Sequence, residues 1–98
     1  MKLYSIYNSL TETFNPPFVA RDDVDATEMV RKAIIGGRDI SLLVELDNLQ
    51  LCQVGEFFTD NAEFIGSLGA FNLPLGEVKL PDHVQSLIAK LKEVKENQ

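Results

Sequence analysis

The chain has no tryptophan, one cysteine and one histidine in 98 residues. A lone Cys52 cannot close an internal disulfide, which suits a reducing cytoplasm. Cys52 and His83 are too few and too far apart in sequence to make a zinc site. Cys52 also has only His83 as a conceivable activating base. Its neighbours Leu51 and Val54 mark it as a buried, inert thiol, and His83 reads as a surface residue in the first turn of a helix. No catalytic residue, metal or cofactor is expected.

Long apolar runs are missing as well. Nothing approaches the ~20 apolar residues that span a bilayer, so no membrane partner is expected. The opening "MKLYSIYNSL" has no long apolar core and no small-residue cleavage site, and it reads as a strand rather than a leader. The pair Gly36-Gly37 lacks the downstream Gly-Lys-Ser/Thr of a phosphate loop and reads as a helix stop.

Positive charge is scarce. Nine Lys and Arg face fifteen Asp and Glu, for a net charge of -6. Such a body repels phosphates at long range and excludes a general basic coat for nucleic acid, though a local basic face remains open. Lys2, Arg21, Arg31, Lys32 and Arg38 are clustered in the first forty residues and are the candidates for phosphate contact.

What is present is enough for one small domain, residues 1–98. Hydrophobic residues make up 45% of the chain, which argues against disorder. "KLYSIYN" reads as a strand that stops near Asn8, Ser9 and Thr11. Pro16-Pro17 cannot occupy a central strand, so "PFVA" is either a short second strand at an edge or an extended lead-in. Asp22 or Asp23 caps a helix, with Asp25 and Glu28 at its positive end. Capping accounts for these acids better than a magnesium site does. Ala26, Met29, Val30, Ala33 and Ile34 recur at helical spacing, with Glu28 and Lys32 paired on the solvent side.

Beyond that helix, "DISLLVELDN" is either a helical turn or an apolar loop. "LQLCQVGEFF" is a strand in which Gly55 marks a bulge or a close backbone approach. "TDNA" is a turn and "EFIGSL" the returning hairpin strand. "GAFNLPLGEV" is too rich in Gly and Pro for a regular element. A C-terminal amphipathic helix spans 81–96, opened by Pro81 and striped by Val84, Leu87, Ile88, Leu91 and Val94. The expected fold is α+β: a small, mostly antiparallel sheet of about four strands, one helix after the second strand, and the terminal helix.

Two groups of side chains point to binding. Tyr4, Tyr7, Phe57, Phe58 and Phe64 lie on or beside strands. Residues of opposite parity face opposite sides, so one of Tyr4 and Tyr7 packs inward and the other meets solvent or a partner. Exposed strand aromatics beside Lys or Arg stack unpaired bases, which makes Tyr4 and Tyr7 candidates with the cations above. The stripe Val84, Leu87, Ile88 and Leu91 either packs on its own sheet or meets a second subunit. The small size of the chain favours a homodimer.

The order of these segments resembles a known family. "LYSIYNSL", a "PPF" lead-in, a helix, "LLVELDNLQL" and then "VGEFFTDNAEF" follow one another. This resembles the small nonstructural protein of gokushovirus-type microviruses, which are phages with single-stranded DNA. The signature falls on Asp47, Leu49, Leu51, Val54, Gly55, Glu56, Phe57, Asp60 and Phe64, within residues 2–75. The spacing before Asp60 is one residue longer than the family pattern, and the segment before Asp47 is shorter. The resemblance implies a virus-encoded, non-enzymatic protein acting in single-stranded DNA synthesis and packaging. Such a protein would bind DNA or dock on replication or procapsid proteins. The resemblance assigns no DNA-contacting residues.

Overall fold

The computed structural model describes residues 1–36 and 43–96, with side chains through Val94. Two long strands carry the sheet. β1 (Lys2–Asn8) and β4 (Leu49–Phe57) run antiparallel along their whole length, from Lys2 opposite Glu56 to Asn8 opposite Leu49. Each has a second edge shared by two short strands. β2 (Thr13–Phe14) and β3 (Phe18–Ala20) pair with opposite ends of β1. β5 (Phe64–Gly66) and β6 (Asn72–Pro74) pair with opposite ends of β4. Every described pairing is antiparallel, and the sheet is four positions wide although six strands build it.

Local chemistry explains the strand ends. The Asn8 side chain accepts the Leu10 and Thr11 N–H groups and turns the chain after β1. Pro16-Pro17 separates β2 from β3, because neither residue can donate to the β1 ladder. The register of β1 on β4 slips between Leu3 and Tyr4, leaving Val54 as an extra residue. Gly55 follows that bulge. A Cβ there would intrude on the Ile65 carbonyl oxygen, so the hairpin closes only around a glycine.

α1 (Asp23–Gly36) follows the third strand rather than the second, because the two-residue β2 carries no strand signal of its own. Asp22 caps it by accepting the Asp25 N–H at 2.8 Å, and the Asp25 carboxylate reaches back to the Arg21 N–H. Its described residues run to Gly36; Gly37 lies outside the described residues, as does all of "DISL". Leu43 is buried, and a 3₁₀ turn at Leu46–Asn48 leads into β4.

The segment expected to be irregular holds β6 and a 3₁₀ turn at Leu75–Glu77. A three-residue edge strand tolerates Pro74 because an edge has a side that needs no N–H. α2 (Asp82–Glu96) closes the chain, and the Pro81 carbonyl accepts from Val84 and Gln85 to start it.

The core lies on one face of the sheet. Ala26, Val30 and Ile34 of α1 meet Tyr4, Leu49 and Leu51 of the strands, with Leu43, Leu46, Leu75 and Val84 completing the cluster. The Arg31 Nε–H donates to the Lys79 carbonyl, and Lys92 pairs with Asp47 at 2.7 Å. Both helices therefore sit on the same side. Among the described residues, no helix covers the other face.

Replacing Gly55 by alanine should force β5 away from β4. The expected loss is about 1–3 kcal/mol of unfolding free energy, read as a lower urea midpoint.

Candidate functional site

Alternation along β1 sorts its aromatics. Tyr4 and Ile6 point into the core, so Tyr7 points to the uncovered face. Tyr4 is 0% exposed, stacked with Phe18 at 6.1 Å and edge-on to Phe71 at 6.0 Å. Its hydroxyl donates to Asp23 Oδ1 at 2.6 Å. Burial, then the Asp23 carboxylate, raises its pKa well above the ordinary phenol value. Tyr4 is thus withdrawn from the base-stacking set: its ring is core and its polar tip secures α1.

Tyr7 is half-buried and leans on Phe14 across the β1–β2 pair, with ring centroids 4.8 Å apart. Phe14 is 49% exposed. Beside them, Asn72 donates to Gln50 Oε1 at 3.2 Å. These residues, with Cys52 and Leu68, line a shallow groove of about 250 Å³. Sequence reading missed Phe14, Gln50 and Asn72. Their signal lay in the strand pairing, since each matters only because of what stands opposite it.

Among the described residues, no Lys or Arg lines this groove. Lys2 is half-buried opposite Ala20, a core residue, which places it on the helix side of the sheet. Arg21 is exposed and lies 3.7 Å from Asp25. Arg31 lies along α1, 3.9 Å from Glu28, which it meets in place of the expected Glu28–Lys32 pair. Lys32 is exposed on the same helix. Arg38 is outside the described residues. None of these described cations lines the groove of Tyr7 and Phe14: Lys2 is on the helix side by its register, and Arg31 and Lys32 are on α1 itself.

The C-terminal stripe divides. Val84 is buried, and Ile88 and Leu91 pack against the core, so these three are taken up within the chain. Leu87 and Val94 are exposed. Of the four residues expected at an interface, Leu87 alone stays exposed, because Val84, Ile88 and Leu91 face the core of the chain itself.

Two groups weighed for chemistry have structural surroundings. Cys52 is buried on β4, and burial pushes its thiol pKa up, which opposes thiolate formation. Asp22, Asp23 and Asp25 are engaged with the Asp25 N–H, the Tyr4 hydroxyl and the Arg21 N–H respectively. No helix among the described residues is long and apolar enough to cross a membrane.

The raised Tyr4 pKa has a consequence for stability at high pH. The folded state holds the phenolic proton where the unfolded chain releases it, so the folded state binds more protons. This contribution is full below the unfolded value of about 10 and is lost as pH rises through the folded value. Unfolding free energy should therefore fall above that pH. Tyr4→Phe should flatten this alkaline dependence and cost about 1–3 kcal/mol near neutrality, measured by urea unfolding across pH.

The segment from Asp47 to Phe64 runs from a 3₁₀ turn through β4 to the start of β5. No family model, curated protein or solved structure matches this chain.

Proposed function

We propose that this protein is a non-enzymatic accessory factor that holds single-stranded DNA during synthesis and packaging of a single-stranded DNA phage genome. The observation that carries the reading is the Tyr7–Phe14 pair on a sheet face that no described helix covers. Flat aromatic rings on an uncovered sheet offer stacking platforms for unpaired bases, at about 1–3 kcal/mol per base. Gln50 and Asn72 stand beside them with amide donors and acceptors suited to base edges. The phage setting comes from the resemblance over residues 2–75.

The separation of charge from aromatics shapes the expected behaviour. With no cation among the described residues of the groove, stacking supplies most of the affinity and few counterions are released. The same observation favours a second reading, a protein adaptor that docks on the replication complex or procapsid without touching DNA. An uncharged face in a chain of net charge -6 suits a protein partner as well.

Binding to a mixed-sequence single-stranded oligonucleotide, followed by fluorescence anisotropy across a salt series, separates the two. The DNA reading expects measurable affinity with a shallow salt slope. Tyr7→Ala and Phe14→Ala should each weaken it by about 1–3 kcal/mol. Arg31→Glu with Lys32→Glu should change it much less. No binding at low salt, together with retention by a viral protein, would leave the adaptor. A steep slope abolished by the Arg31 and Lys32 changes would move the site to α1.

A further inference from the structure

The hairpin strand β5 leaves one backbone edge unused. Residues 61–70 are all exposed, and they include Phe64 at 71% and Leu68 at 72%. Two contacts set the direction of the backbone groups. Phe58 donates to the Glu63 carbonyl, and Ser67 donates to the Val54 carbonyl. Residues 63, 65 and 67 therefore direct their N–H and C=O groups at β4, and Phe64, Gly66 and Leu68 direct theirs outward. Among the described residues, no strand takes up that outer edge.

Open edges are normally protected by charge, proline or a covering element. This one has none of these among the described residues. No charged residue occurs from Phe64 to Gly76, and the nearest proline is Pro74 on β6. An edge left unguarded in a chain with 24% charged residues is suited to being paired.

The geometry points to a second copy of this chain as the occupant, joined by antiparallel pairing of β5 with β5 about a twofold axis at Gly66. The outward groups of Phe64, Gly66 and Leu68 are spaced for that register. Gly66 exchanges backbone hydrogen bonds with Gly66 of the second copy, and Phe64 exchanges them with Leu68 of the second copy. The same register puts Phe64 against Leu68 twice, as cross-strand apolar pairs. Glu63 then falls opposite Gly69, so no two acids face each other across the axis despite the net charge of -6. Space around Gly66 is open, with nothing near a Cβ built there. The contact is isologous, as a twofold pair requires, and it continues the sheet from one copy into the next. It does not depend on the DNA reading: it rests on a backbone edge, although Leu68 also lines the Tyr7–Phe14 groove.

Sedimentation equilibrium of the full chain over a wide concentration range tests this. A reversible shift from the mass of one chain to that of two is expected. Phe64→Lys should weaken the dimer by about tenfold or more, since both Phe64–Leu68 pairs go at once. Adding Leu68→Glu to that variant should restore it, because each new lysine then faces a new glutamate. Gly66→Pro should abolish dimerisation by removing the central donor, which the internal ladder does not use. Circular dichroism of each variant confirms that the monomer is folded. A chain that stays monomeric throughout overturns the inference, as does a dimer indifferent to Phe64→Lys and Gly66→Pro. So would a monomer whose β5 edge is instead taken by a strand of another viral protein, or a double variant that fails to recover.

Discussion

The bond from the Tyr4 hydroxyl to the Asp23 carboxylate holds the two halves of this domain in register. Tyr4 stands on β1, the strand that organises one edge of the sheet, and Asp23 opens α1. A carboxylate at a helix start already favours the helix through its dipole. Here it also anchors that start onto the sheet at 2.6 Å, between the rings of Phe18 and Phe71. A buried phenol without a partner would cost more than its ring contributes, so the bond makes burial of Tyr4 tolerable. Once Tyr4 is committed inward, Ile6 follows it, and Tyr7 must face the other way.

That commitment gives the molecule two unlike sides. One carries both helices, with Lys2 by its register and Arg31 and Lys32 on α1. The other is an uncharged sheet face with Tyr7, Phe14, Gln50 and Asn72. A binding site that uses stacking and a binding site that uses charge would therefore lie on opposite surfaces of one monomer. Sheet extension through β5 would lengthen the uncharged side without mixing the two, because Phe64, Gly66 and Leu68 share the face of Tyr7.

Particular residues show how far sequence reasoning reached. The cap at Asp22, the close approach at Gly55 and the turn between β4 and β5 were legible because each is a local device. β6 was not, because Pro74 ordinarily argues against a strand and its pairing with β4 is a long-range contact. The C-terminal stripe was legible as amphipathic. Its division into buried Val84 and exposed Leu87 depended on how far the 3₁₀ turns extend beneath α2. At the candidate site, Tyr7 was named with Tyr4, whereas Phe14 was not, since a two-residue strand has no periodicity to detect.

By itself the sequence determined the local elements and their parity: an α+β chain, a capped helix, a glycine-dependent hairpin, and the rule that Tyr4 and Tyr7 part company. Only the tertiary structure decided which tyrosine turned inward, where the cations came to rest, and which backbone edge stayed open. The physical reason is range. Helix caps, turns and alternation are settled by neighbours a few residues away, whereas the facing of a strand is settled by a helix and a partner strand met through distant contacts. Tyr4 has the same chemistry as Tyr7, and Asp23 reaching it at 2.6 Å is what makes one of them core.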